Sequence, residues 1–524
     1  MRRSVAAALA AVAIVLPMLP DAAASASGVG HGRAPVVLSQ LGAPGQSAAA
    51  RARAALEKAQ QVVAGGSSAS AAPAATPVAG TLAMRDLFSA LPDLNDADRR
   101  QARAVLARPT DGTKDPDGYR AKAKRRCHGH FCLHWVTRTS DKATSAWVGR
   151  TMRTMASVWR LEVGKLGYRR PVGDGHHGGN HLFDVYLKDL GSQGLYGYCT
   201  PEYLKPGRKR EASGYCVLDN DFARSQFRTR PVKALKVTAA HEFFHAIQFG
   251  YDYKEDAWLM EATATWMEER YADGVNDNRQ YLPYGQVGRP DVPLDTFSLS
   301  GFSQYGNWPF FEFLSSRFGV GTIRQIWDQA AQFPGGGHLY SAQAVAAVLA
   351  AHGGLADVFT RYAAGNFMPG RTYDEGDQWP RSARATAART QTVNSGTGQD
   401  VSLAVRHLAS KDVVLRPSAD LTGQGWHADI SIDGPDAESA PTAYAVVWTR
   451  DGKVHRVRVP LDATGSGTAS VEFGHDDVKR VVLTLANASI RYSCKQGTNY
   501  SCRGKPVDAK DAFTYSVSAS QTTP

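Results

Sequence analysis

The spacing of apolar and polar positions changes period along this chain, and the change falls near residue 385. Before it, helical spacing predominates. Residues 81–108 carry Leu87, Leu91 and Leu94 on such a spacing, with a break expected at Pro92. Residues 143–166 read as a long helix. Phe310, Phe311, Leu314 and Phe318 mark another, begun at Pro309 and ended by Gly319. Short apolar runs at 131–137, 181–187, 195–200 and 214–218 read as strands among these helices. Two further helices are expected in succession. One crosses residues 238–247, with Pro231 near its start and Gly250 just past its end; the other crosses residues 258–269. Beyond 385 the period shortens. Runs at 413–415, 428–432, 443–449, 454–459, 469–473, 481–485 and 513–517 alternate with Gly, Asp and Ser turns, which predicts a β-sandwich over residues 386–524. The expected fold class is α+β over residues 116–385, followed by this all-β domain.

The N-terminal part carries a different pattern. Arg2 and Arg3, an apolar run from Ala6 to Leu16 and small residues from Ala22 to Ala26 read as a signal peptide over residues 1–26. Residues 27–80 are rich in Ala, Gly, Ser and Pro, reach Gly65-Gly66-Ser67-Ser68, and read as a flexible leader. With the helical stretch after them they form a segment, 27–115, that is either a propeptide over the cleft of the next domain or an ordinary support element. No later segment has the apolar length of a membrane span, so secretion without stable membrane insertion is expected.

Cysteine usage fits that destination. Six cysteines fall as three local pairs, Cys127/Cys132, Cys199/Cys216 and Cys494/Cys502, expected as disulfides in an oxidising compartment. The Cys127–His134 cluster has metal binding as its alternative, as does the Gly- and His-rich loop at 173–181, whose glycines are better explained by turns. The formal net charge is +11; Arg2, Arg3 and Asp21 make the signal +1, leaving about +10. Basic clusters at Lys122 to Arg126 and Lys205 to Arg210 read as solvated surface, and no aromatic-interleaved basic motif supports nucleic-acid binding.

Candidate chemistry concentrates in His241-Glu242-Phe243-Phe244-His245. On a helix, positions i and i+4 share a face, so both imidazoles reach one Zn²⁺ while Glu242 reaches a water bound to it. A third protein ligand is needed. Gln248 and Tyr251 stand where one zinc-peptidase pattern requires a glycine and a third histidine, so that pattern is excluded. The other common source is a glutamate on a following helix. Glu261 stands in the first turns of the helix at 258–269; Glu268 and Glu269, adjacent in sequence, read as its solvated face.

With Trp-Leu-x-Glu-x-x-Ala at Trp258 to Ala264 behind the His-Glu-x-x-His helix, the chain resembles the gluzincin metallopeptidases, the thermolysin and M1 aminopeptidase group. The likeness covers roughly residues 85–370, with its specificity in these two helices. It implies a zincin-like catalytic domain, His241, His245 and Glu261 as zinc ligands and Glu242 as general base. It also implies that an antiparallel edge strand pairs with extended substrate, for which 195–199 is the candidate, and that Tyr305 donates to the oxyanion. Three departures stand out. The interval from His245 to Glu261 is short, Thr265 replaces the aspartate that orients a ligand histidine in thermolysin-like enzymes, and no Gly-x-Met-x-Asn exopeptidase motif occurs. The orienting role therefore falls to Thr265 or to an acid not identifiable from sequence.

The expected function is zinc-dependent hydrolysis of protein or peptide substrates outside the cell. The principal alternative is a catalytically silent adhesin or wall-binding protein that keeps a structural zinc; intact Glu242 speaks against it, because a purely structural site needs no base. A zinc hydrolase acting on a non-peptide bond is a third reading. A serine hydrolase is unsupported, since no Gly-x-Ser-x-Gly occurs. Sandwich modules on secreted hydrolases often bind substrate or wall polymer, which is the contact expected of residues 386–524.

Overall fold

The structure is a computed structural model that describes residues 47–64, 79–111, 117–299, 301–380, 386–396 and 398–522. The signal-peptide reading and the Gly65–Ser70 run lie outside the described residues. Helix and sheet are mixed up to residue 380, and strands dominate afterwards.

A five-stranded mixed sheet organises the first part. Its strands are β1 (Lys124–His128), β2 (Phe131–Trp135), β3 (Phe183–Lys188), β4 (Gly197–Leu204) and β5 (Ala212–Asp219), in the order β1-β2-β3-β5-β4. The central pairings β2/β3 and β3/β5 are parallel, while β1 and β4 close the two edges antiparallel. The four runs read as strands from sequence correspond to β2 through β5 within a few residues.

One face of the sheet carries the helices of the site. Helix α5 (Pro231–Asp252) starts at Pro231, as expected from a residue whose missing N–H costs nothing in a first turn. It does not end at Gly250, which lies inside the helix beside Val172 and the carbonyl of Arg170. From Val237 to Asp252 every α5 residue is buried, as is every residue of α6 (Ala257–Ala272) up to Glu269. A helix buried all round lies at the centre of its domain, where polar side chains need partners from the protein itself.

The opposite face is covered by α1 (Ala48–Val63), α2 (Ala79–Ala90) and α3 (Asp96–Val105), which share a core with Tyr186, Tyr198, Tyr215 and Val217 of the sheet. The flexible-leader reading of residues 27–80 fails over α1. Ser47 caps that helix, and Ala52, Ala55, Leu56 and Ala59 are buried, so alanines on one face give close packing despite a composition typical of linkers. The break at Pro92 is present, with the chain from Leu91 to Asp93 separating α2 from α3. Arg108, just beyond α3, is buried against Asp174, Asp184 and Glu202 and ties this layer to the glycine-rich loop.

Helix α4 (Ser145–Trp159) runs into a π-helical turn over Arg160–Lys165, which completes the span expected from sequence. All three expected disulfides are present. Cys127 and Cys132 therefore do not form a thiolate metal site, and the Nε2 of His134 is bound to Asp184 at 2.7 Å. In the 173–181 loop, Gly175, Gly178 and Gly179 take the positive φ that explains their presence. Its histidines join no three-ligand group among the described residues.

Beyond residue 386, strands Val454–Val459, Pro441–Thr449 and Val478–Asn487 pair in one sheet, and Ser466–Glu472, Trp426–Asp433, Lys510–Gln521 and Val401–Arg406 in another. Ile430, Val447, Leu483 and Val517 from the two sheets share one core. This region is anchored to the first. Cys502 N–H donates to Asp256 at the start of α6, while Ser501 N–H and the Tyr492 hydroxyl donate to buried Asp295. Among the described residues no single helix is long and apolar enough to cross a membrane.

Candidate metal centre and its hydrogen-bonded supports

Helices α5 and α6 bring the sequence-assigned ligands together. His241, His245 and Glu261 are buried and place one ligand atom each within 4.8 Å of one another. Glu261 Oε2 is 3.2 Å from His241 Nε2 and 3.6 Å from His245 Nε2. Donors bound at about 2.0–2.1 Å to a tetrahedral ion stand about 3.3 Å apart, so the spacing suits one ion among the three. His245 Nε2 and Glu261 Oε1 are buried with no hydrogen-bond partner among the described residues, which is costly unless a further group satisfies them. The other three-residue grouping among the described residues, Glu269, Asp273 and Glu375, has no imidazole, and Glu375 is already paired with Arg279.

Each imidazole is held from behind. His241 Nδ1 is 2.7 Å from Glu268 Oε1, and His245 Nδ1 is 2.7 Å from Gln248 Oε1. The Gln248 amide donates to the Met260 carbonyl at 3.0 Å and the Thr263 hydroxyl at 3.2 Å, linking the His245 support to α6. These contacts fix which nitrogen of each ring faces the ligand cluster. The solvated-face reading of Glu268 and Glu269 is therefore wrong: both are buried, Glu268 against His241 and Glu269 against Asn278. Thr265 does not orient a histidine; its hydroxyl donates to the Glu261 carbonyl within α6. Glu268 takes that role. The signal was in the spacing, since positions seven apart share a helix face and Glu261 and Glu268 are so placed.

Electrostatics follow from three buried carboxylates facing two buried imidazoles. Burial opposes a charge on His241, but hydrogen bonds to Glu261 and Glu268 outweigh it and push the imidazole up to about 10. Burial pushes Glu268 up to about 7, with its bond to His241 opposing. Glu261 lies below its ordinary value, because His245 and His241 outweigh its burial. Burial raises the Glu242 carboxyl, with both imidazoles and the Thr81 hydroxyl opposing. A dication would balance this excess of negative charge and displace the His241 proton.

Glu242 is 2 % exposed and lies under β4, where a Cβ on Gly197 would come within 3.0 Å of its Cγ; only glycine permits that approach. Tyr305, in the short helix α7 (Ser303–Gly306), is buried with its ring centroid 6.5 Å from that of His241 and 5.3 Å from that of Tyr281. Burial, with Glu261 adding to it, holds its hydroxyl well above the ordinary tyrosine range, so it remains a proton donor. It precedes α8 (Trp308–Phe318), which ends at Gly319 as expected.

Replacing Glu268 by Gln keeps a hydrogen-bond acceptor but removes the charge behind His241. Zinc affinity, measured by competition with a chromogenic chelator, is expected to fall about 10- to 100-fold with the fold intact. Unchanged affinity would remove Glu268 from the site.

No family model matches this chain, and no curated protein matches it. Among solved structures, a protein described as AlgX of Pseudomonas aeruginosa aligns with 14% identity and a TM-score of 0.15, covering 25% of this chain and 26% of the other. A family GH115 4-O-methyl-α-glucuronidase, BtGH115A, aligns with 7% identity and a TM-score of 0.12, covering 68% of this chain and 54% of the other. Similarity at this level carries no inference about fold or activity, and the reading of the chain rests on its own residues.

Proposed function

We propose that this chain is a secreted zinc metallopeptidase with a gluzincin-like site in a zincin-like domain. The observation that carries the reading is the convergence of His241 Nε2, His245 Nε2 and Glu261 Oε2, with a carboxylate on the adjacent residue, Glu242, left out of the ligand set. Zinc in such a site lowers the pKa of water to about 7 and polarises a carbonyl. Glu242 would accept a proton from the attacking water and pass it to the leaving amine, a role suited to a carboxyl raised by burial. The Tyr305 hydroxyl would donate to the oxygen on which negative charge develops. Glu268 and Gln248 hold the two rings in register throughout. Three disulfides support an extracellular destination. Contact with wall polymer through residues 386–522 remains part of the proposal, though their docking on Asp256 and Asp295 gives them a supporting role as well.

One observation favours the silent wall-binding alternative. The enclosed space beside Glu242, lined by Tyr196, His241, Glu268 and Tyr281, is about 20 Å³, room for about one water. A mixed peptide library incubated with protein of measured metal content separates the two readings. Zinc near one equivalent with cleavage that a chelator abolishes is the expected result. Zinc without cleavage, in protein whose cleft has been opened, supports the alternative.

A further inference from the structure

We propose that the first turn of α2 is an autoinhibitory latch closed on Glu242. The inhibited activity is that of the reading above; the contact itself stands on geometry. Thr81 is fully buried, and its hydroxyl donates to Glu242 Oε2 at 2.7 Å while accepting from the Cys199 N–H at 2.8 Å. Strand β4 is an edge strand whose inner side pairs with β5 at Tyr198↔Val217 and Cys199↔Cys216. The Cys199 N–H is therefore an outer-edge donor, on the side where an extended chain would add to the sheet. Gly80 occupies the same edge, and a Cβ there would come within 2.9 Å of Tyr198 Cβ. One turn further on, Arg85 donates to the Glu255 carbonyl at 2.7 Å and approaches Met260 Sδ at 3.2 Å, bracing α2 against the start of α6.

The chain's own α2 thus takes the strand edge and one oxygen of the base together. Release need not remove the whole N-terminal layer. Met84 and Leu87 belong to the apolar core that α1–α3 share with the sheet, whereas Gly80, Thr81 and Leu82 of the first turn face the strand edge, Glu242 and the core around α5 and α6. Lifting the first turn uncovers Glu242 and β4 while leaving that core in place.

The test uses the full zinc-loaded chain as wild type, Thr81→Ala, Thr81→Ser and Gly80→Val. Three quantities are followed: amide hydrogen exchange at residues 197–199, the rate of zinc extraction by a chelator, and peptide hydrolysis. Thr81→Ala and Gly80→Val are expected to speed exchange and extraction by roughly tenfold, the scale of one or two lost buried hydrogen bonds, with hydrolysis rising in parallel. Thr81→Ser keeps the hydroxyl and should behave as wild type. Faster exchange and extraction without hydrolysis would uphold the latch and count against the peptidase reading. The latch is overturned if both rates stay at the wild-type level in folded Thr81→Ala and Gly80→Val. It is equally overturned if Thr81→Ala only lowers hydrolysis at unchanged exchange, which would make Thr81 a positioning residue for Glu242, or if the variants lose cooperative unfolding.

Discussion

Glu242→Gln is expected to lose peptide hydrolysis by about 10²- to 10⁴-fold while binding zinc as the wild type does. The separation follows from geometry. Glu242 lies outside the group of three converging ligand atoms, and its carboxylate accepts from the Thr81 hydroxyl rather than from either histidine. An amide retains the volume of the carboxylate under Gly197 and can still accept from Thr81, so the fold should persist. What it cannot do is take a proton. The comparison is best made in the Gly80→Val background, where the cleft is expected to be open and the starting activity measurable. Wild-type turnover in the Gln variant would remove Glu242 as the base. Loss of zinc together with activity would place Glu242 among the ligands.

The His241–His245 pentapeptide is legible because its information is local: two histidines one helical turn apart need only the helix to converge. Glu261 was legible with the help of a second local motif, Trp258-Leu259-x-Glu261. Supports from more distant residues were harder to see. Glu268 reads as solvated from sequence because two adjacent acids usually lie on an exposed face, a rule that fails when the helix is buried all round up to Glu269. Gln248 was informative in sequence only as the absence of a glycine, yet it bonds His245 and two groups on α6. Thr81, 161 residues from Glu242, has no local pattern that betrays its contact. Helix α1 was missed for a compositional reason. Alanine-rich segments resemble linkers until a packing partner exists, and here α2 and α3 provide one.

The C-terminal strands show the same division. Their alternation is visible strand by strand, least so at 389–393 and 401–406, both substantially exposed. Their attachment was not visible. Asp256 caps no backbone group of α6 with its own side chain, but its two oxygens take the Cys502 N–H and the Tyr340 hydroxyl. The loop closed by Cys494–Cys502 therefore braces the helix that carries Glu261. A module attached in this way is part of the scaffold of the site.

Removing that glutamate is expected to have the largest effect on the metal. In Glu261→Ala zinc affinity should fall by more than about 100-fold, beyond the range for supporting residues, because a ligand and not its support is lost. Two imidazoles alone leave the coordination half open, and the charge that favours a dication drops by one. Thermal unfolding provides a second reading. At zinc concentrations about 100 times the dissociation constant, binding stabilises the folded chain by about 2.7 kcal/mol, a gain the variant should lack. Its metal-free form should unfold below the wild-type metal-free temperature, since the contacts with His245 and His241 that outweigh the burial of Glu261 are lost and a cavity is left in their place. Glu268 is the rival for the third position, lying on the same face two turns along and already in contact with His241. If Glu261→Ala binds zinc as tightly as wild type and Glu268→Gln does not, the ligand assignment is reversed. If both variants retain zinc, the Glu269, Asp273 and Glu375 group becomes the metal site to test, and the peptidase reading loses its foundation.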